Sequence, residues 1–256
     1  MLTANRSNIG RVRQVNEDQC WVGSLGGGIA IAVVADGMGG HQAGDVASQT
    51  AVDTFRGAFE QHADKQSLTE QEGKMLIRQA IAEANETIYA MASRNERYHN
   101  MGTTVVAALM LPGTAVIGHV GDSRAYRVGD GGIQLLTMDH SLVNELVKSG
   151  QLSAEEAAHH PRRNVLTRAI GTDPVVEIDV QSVDWSTDDV LLLCSDGLTN
   201  MVNEEQIVGV VADRSQELEA KADHLIQLAL EGGGDDNITV VLLQEQPTGE
   251  ARGASA

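Results

Sequence analysis

The sequence predicts an α+β fold, and three patterns predict it. In two early stretches apolar residues recur about every fourth position, which marks helices with a single buried face. Beyond residue 102 the period changes, and short β-branched runs separated by glycine turns mark antiparallel hairpins. Four of the apolar runs also carry an aspartate at one end, three of them directly beside a glycine.

Taken in order, residues 1–22 mix polar turn formers with short apolar stretches. Within them Arg11 to Asp18 sets cations and anions around single valines, the composition of a solvated edge. Ser24 to Gly28 reads as a hairpin turn leading into a buried strand, Ile29 to Ala35, which ends at Asp36. After glycines 37, 39 and 40, the residues Ala47, Ala51, Phe55 and Phe59 place a helix over 44–62. Ile77, Ile81, Ala84, Ile88 and Met91 place a longer one over 70–94, and one apolar stripe on each predicts that both cover a sheet. Residues 103–111 and 114–121 form two arms about a Pro112-Gly113 turn, and the second arm ends at Gly121-Asp122. The meander continues through Arg124–Val128, a turn at 129–132, and Ile133–Leu136. A polar, mostly helical insertion over 139–174 contains His140, His159, His160 and Arg163, and an insertion between strands serves access or regulation more often than packing. Strands follow at 175–183 and 189–195, the latter ending at Asp196-Gly197. Helices at 204–212 and 218–229 stop at Gly232-Gly233-Gly234. Asp235-Asp236-Asn237 then precedes a last strand, 238–243, and a disordered tail, 244–256.

Composition narrows the function. With 36 acids against 18 bases the net charge is −18, which repels nucleic acid and anionic membranes. The 42% hydrophobic content fills one core, and seven aromatics leave that core aliphatic. Cys20 and Cys194 sit in apolar contexts without metal or disulfide spacing, as buried thiols of a reducing compartment do. No apolar run nears the roughly 20 residues of a membrane span, and no signal segment opens the chain, so a cytoplasmic protein is expected.

Four carboxylate-bearing strand ends, at Asp36, Asp122, Asp196 and Asp235/Asp236, are either four separate turns or one site. If they converge without a cation, repulsion raises their pKa values until some take protons. Oxygen ligands without Cys or His select Mg²⁺ or Mn²⁺ over zinc. Two such ions about 3.5–4 Å apart activate a water for attack on phosphorus, and no Gly-x-Ser-x-Gly or Cys-x5-Arg motif offers a protein nucleophile instead.

Six ordered motifs then resemble one family: Arg13-x-x-Asn16-Glu17-Asp18, Val34-Ala35-Asp36-Gly37-Met38-Gly39-Gly40, Gly102-Thr103-Thr104, His119-Val120-Gly121-Asp122-Ser123-Arg124, Ser195-Asp196-Gly197-Leu198-Thr199 and Asp236-Asn237-Ile238-Thr239. They are similar to the metal-dependent protein phosphatase 2C family in its bacterial serine/threonine form, over residues 1–243, which reads as a single catalytic domain. The resemblance implies a four-layer αββα sandwich, two antiparallel sheets flanked by helix pairs, with 139–174 as a flap. It implies that Asp36 bridges two Mn²⁺ or Mg²⁺ ions and that the Gly37 carbonyl binds one of them. Asp196 and Asp236 would bind the other, with Glu17 and Asp18 holding metal-bound waters and Asp122 joining Asp196 at a third, weaker site. Arg13 would grip the substrate phosphate. Asp235 is expected to be a solvated loop acid. Met38 stands where eukaryotic members carry a histidine, so the leaving alkoxide is protonated by water, His41 or a flap histidine such as His160.

The expected activity is hydrolysis of phosphoserine and phosphothreonine in proteins by a cytoplasmic monomer opposing a serine/threonine kinase. A metal-dependent phosphodiesterase or nucleotide hydrolase shares the metals but lacks support from a nucleotide-binding glycine loop. A non-catalytic binding module of the same fold has no need of the intact acids.

Overall fold

The computed structural model describes residues 1–24, 28–39, 43–62, 65 and 67–245. Two antiparallel sheets lie face to face. One runs in the order β1 (Leu2–Asn8), β11 (Ile238–Gln244), β10 (Val190–Cys194), β7 (Arg124–Gly129) and β8 (Gly132–Leu135). The other runs β2 (Asp18–Ser24), β3 (Ala30–Met38), β5 (Val105–Leu111), β6 (Thr114–Val120) and β9 (Asp179–Asp184), with β4 (Gly102–Thr103) paired to the end of β3. Helices α1 (Ala43–Glu60) and α2 (Glu70–Arg94) cover the second sheet, while α6 (Glu204–Val211) and α7 (Leu218–Glu231) cover the first. This is the αββα sandwich that the resemblance implies.

Side-chain alternation explains why the central strands are apolar at every position. In β3, Ile31, Val33 and Ala35 point toward α1 and α2, while Ala30, Ala32 and Val34 point toward the other sheet. In β10, Val190, Leu192 and Cys194 pack under α6 and α7, and Leu191 and Leu193 fill the space between the sheets. Each strand is covered on both faces, so neither face tolerates a polar run. The helices start on capping boxes, Thr69 with Glu72 for α2 and Asn203 with Gln206 for α6, each worth about 1 kcal/mol.

Several expectations are corrected. Residues 1–22 contain two strands, because β1 gains a partner in β11 and β2 one in β3, and pairing overrides a polar composition. Asp18, expected on a solvated edge, is 2% exposed. The strand carrying Asp36 does not end there: Gly37 and Met38 continue β3 by pairing with β4. The insertion is mostly turns, with α3 (Leu142–Lys148) and α4 (Ala154–Ala158) its only helices among the described residues. The bridge Ser141 to Leu166 closes its two ends on each other, and Thr103 to Ile170 ties it to the body. Gln244 completes β11, and residues 246–256 of the expected tail lie outside the described residues, as do Leu25 to Gly27 of the first hairpin turn. Cys194 is buried and Cys20 half-buried, both free.

Candidate metal centre

The site forms where strand ends from both sheets meet. Asp18 opens β2 directly across from Asp36 in β3. The Asp36 backbone is held on both sides: its N–H donates to Thr104 Oγ1 at 3.1 Å, and its carbonyl accepts from Thr104 N–H at 2.9 Å and from Thr103 Oγ1 at 2.8 Å. Thr104 Oγ1 also shares a hydrogen bond of 2.7 Å with Ser123 Oγ, which ties Asp36 to the turn carrying Asp122. Gly37 lies so close to α1 that a Cβ would run into the Gly44 carbonyl, which is why the residue after Asp36 must be glycine.

From the other sheet, β10 is followed by Ser195, whose hydroxyl donates to Asp18 Oδ2 at 2.7 Å and accepts from Thr239 N–H at 3.0 Å. Asp196 follows in a short helix, α5 (Asp196–Thr199), and accepts from Asn200 Nδ2 at 3.0 Å. At the head of β11, Asp236 pairs with Arg13 at 2.7 Å. Next to it Asn237 Oδ1 accepts the Glu17 N–H at 2.8 Å, and its Nδ2 donates to the carbonyls of Ile9 at 2.9 Å and Val15 at 3.0 Å.

Together these segments line one cleft of about 510 Å³, with Arg13, Glu17, Asp36, Gly37, Asp122, Asp196 and Asp236 in its wall. Asp18 sits behind it, and its Oδ1 is buried without a hydrogen-bond partner among the described residues. Asp235 is exposed. Of the groups named as proton donors, His41 lies outside the described residues and His160 accepts from Arg162 N–H in the flap without lining the cleft, whereas Met38 does line it.

Electrostatics follow from crowding. Burial, then the charges of Asp18, Asp196, Asp122 and Asp236, push the Asp36 carboxyl well above the usual carboxylate range. Burial raises Asp18 to about 7 and Asp122 to about 7, with Asp196 adding to both. Asp196 is raised by burial and by Asp236, although hydrogen bonds from Asn200 and Asp36 offset part of this. Glu17 is raised by burial despite an N–H bond from Gly44 in the first turn of α1. Acids held this way favour the protonated form until a cation replaces the protons. The all-oxygen donor set and the unpartnered Asp18 oxygen both fit a hard divalent ion.

A second cluster does not fit one. His119, His140 and Asp179 lie together, with the two rings stacked at 4.7 Å. However, His140 Nδ1 accepts from Gly121 N–H, His119 Nε2 lies 2.9 Å from the Met138 carbonyl, and Arg168 Nη1 sits 3.3 Å from His140 Nε2. A cation there would face a guanidinium, so the trio serves as a brace between the Asp122 turn and the flap roots.

Sequence reasoning assigned no role to Thr103, Thr104, Ser195 or Asn237. Their signal was their position, since each lies within the quoted motifs close to an acid or at its strand partner.

The chain is similar to known proteins over most of its length. The sequence profile described as Protein phosphatase 2C matches residues 8–231. The serine/threonine phosphatase stp of Listeria monocytogenes is 44% identical over 250 residues, 98% of either chain. The solved serine/threonine phosphatase of S. agalactiae superposes with a TM-score of 0.88 at 38% identity, covering 96% of this chain and 99% of that one. The catalytic domain of the phosphatase PstP, solved with two manganese ions, gives 0.82 at 34% identity, covering 94% and 96%. A chain matched by the family profile over most of its length, and by such relatives nearly end to end, belongs to the protein phosphatase 2C family.

Proposed function

We propose that this chain is a divalent-metal-dependent protein serine/threonine phosphatase. The observation that carries the reading is the convergence of Glu17, Asp36, Asp122, Asp196 and Asp236, from separate segments, around one cleft with Arg13 at its wall. In this reading Asp36, the Gly37 carbonyl, Asp196 and Asp236 hold two Mn²⁺ or Mg²⁺ ions. Glu17 and Asp18 hold waters, and Asp122 with Asp196 forms a weaker third site. The relatives' names support the phosphatase reading, and the manganese ions of the PstP structure support a metal cofactor. When bound, such ions supply Lewis acidity toward a phosphoryl group and an activated water.

The protein's own groups do the rest. Arg13, half-exposed, keeps Nη2 on Asp236 and presents its remaining N–H donors to phosphate oxygens, a geometry that a lysine does not offer. Asp18, through its free oxygen, orients water, and Ser195 fixes the other oxygen. Thr103 and Thr104 keep Asp36 from turning away.

The reading extends to residues 1–243 as one catalytic unit, a cytoplasmic monomer acting on phosphoproteins that include a serine/threonine kinase and its targets. Among the described residues no helix is long and apolar enough to cross a membrane. The charge of −18 disfavours nucleic acid as a partner. The test is hydrolysis of a phosphothreonine peptide, p-nitrophenyl phosphate and a bis-p-nitrophenyl phosphodiester with Mn²⁺. Turnover of the two monoesters is expected. Turnover of the diester alone contradicts the reading and favours a phosphodiesterase, and inertness toward all three favours a binding module.

A further inference from the structure

The loop over 9–17, between β1 and β2, carries Arg13 to the wall of the acid-lined cleft. Its backbone is anchored from several sides. Gly10 N–H donates to Asn8 Oδ1 at 2.9 Å, and Arg11 N–H donates to the Gly234 carbonyl at 2.7 Å. Asn237 Nδ2 spans the carbonyls of Ile9 and Val15, at 2.9 and 3.0 Å. Gly10 takes a φ of 80°, and a Cβ there would overlap the Asp236 carbonyl, so the loop lies tight against the head of β11. A loop held in this way has little freedom left to lose when a partner docks on it.

Its side chains are turned to solvent. Residues 11–15 are all exposed, and Val12 is 64% exposed although it is apolar. Arg13 is paired with Asp236. Arg11 is not: among the described residues its guanidinium donates no hydrogen bond and has no carboxylate within 4.0 Å, and Asp235, exposed beside the Gly234 anchor, does not pair with it. A rigid loop thus presents an unpaired guanidinium and a bare valine next to the residue assigned to the substrate phosphate.

We propose that Arg11 and Val12 form a substrate-docking lip, in which Arg11 takes the carboxylate of an acidic residue near the phosphorylated one and Val12 packs against the intervening chain. The inference rests on the phosphatase reading. A phosphate held at Arg13 brings its polypeptide to the rim of the cleft, and the loop that carries Arg13 is part of that rim. Arg11 and Arg13 are two residues apart, so their Cα atoms lie at most about 7 Å from each other. An extended substrate advances about 3.3 Å per residue, which sets the carboxylate two or three residues from the phosphoresidue. A guanidinium gives a carboxylate two parallel N–H bonds. The net charge of −18 opposes an acidic substrate at long range, but salt screens it beyond about 8 Å at physiological ionic strength, and a direct contact is shorter than that.

The experiment uses the full chain with Mn²⁺, p-nitrophenyl phosphate, and phosphothreonine peptides carrying Asp or Lys at each position up to three residues away on either side. The wild type is expected to prefer Asp to Lys at a position two or three residues from the phosphothreonine, with kcat/KM about fivefold higher, mainly through KM. Arg11→Glu should reverse that order and Arg11→Gln should abolish it, whereas damage to the fold would lower both peptides alike. Val12→Ser should lower kcat/KM for the phosphopeptides about twofold or more relative to p-nitrophenyl phosphate. No preference for Asp at those positions in the wild type, a preference that survives Arg11→Glu, or an unchanged ratio in Val12→Ser overturns the lip. A wild type inert even toward p-nitrophenyl phosphate contradicts the phosphatase reading itself, a different result from turnover without selectivity.

Discussion

Asn237 holds Glu17 from 220 positions away, its Oδ1 accepting the Glu17 N–H at 2.8 Å while its Nδ2 spans the carbonyls of Ile9 and Val15. One amide thus fixes the loop that carries Arg13, Glu17 and the approach to Asp18. Asn237→Ala removes three hydrogen bonds of a buried side chain and should destabilise the protein by about 1–3 kcal/mol. Thermal denaturation and a Mn²⁺ titration check this, with weaker ion binding expected; unchanged behaviour in both contradicts the role.

Thr104 joins the two halves of the acid cluster in a similar way. Thr104→Val keeps the shape but leaves the Asp36 N–H and the Ser123 hydroxyl without their partner, a loss of about 1–3 kcal/mol. Weaker Mn²⁺ binding by calorimetry is expected, with recovery in Thr104→Ser, whose hydroxyl remains. Equal binding by Thr104→Val and wild type would show that the hydroxyl does not position Asp36.

The raised acids set a pH dependence. Unfolded, Asp18 and Asp122 ionise at about 4, whereas the metal-free fold holds both protonated to about 7. Between those values the folded chain binds more protons than the unfolded chain, so the stability these groups give the metal-free protein is lost as pH rises through that window and levels off above about 7. A divalent ion takes the protons' place, so Mn²⁺ should raise Tm more at pH 8 than at pH 5. Each kcal/mol corresponds to about 2–4 °C in a chain near this size. An equal gain at both pH values contradicts the crowding of these carboxyls.

Arg13→Ala should raise KM for p-nitrophenyl phosphate about tenfold or more and leave the fold intact, since its exposed pair with Asp236 contributes at most about 1 kcal/mol to stability. Arg13→Lys should recover part of the loss. An unchanged KM in Arg13→Ala would remove the residue from phosphate binding.

The sequence made the long helices and central strands legible because their burial is complete and periodic. Ala47 to Phe59 and Ile77 to Ile88 face the same sheet, and Val105 to Leu111 is apolar throughout because both sides are covered. The β1 and β2 strands were not legible: Asn5, Arg6 and Ser7 become a strand only through β11. The acids at Asp36, Asp122, Asp196 and Asp236 were visible as charges beside glycine. Spacing alone left their convergence open, because it depends on which strands adjoin, and only the family resemblance implied it; the contacts of Thr104, Ser195 and Asn237 span chain separations that local patterns do not encode. The flap misled in a physical sense: without a buried stripe, its polar sequence does not separate the short α3 and α4 from the turns that make up most of it.

The most direct measurement is phosphate release from a phosphothreonine peptide by chelator-stripped protein, wild type and Asp36→Asn, before and after addition of Mn²⁺. The account predicts no release before the ion, release after it in the wild type, and none in Asp36→Asn. Release that persists under chelator, or that Asp36→Asn retains with Mn²⁺, would contradict a metal centre built on Asp36.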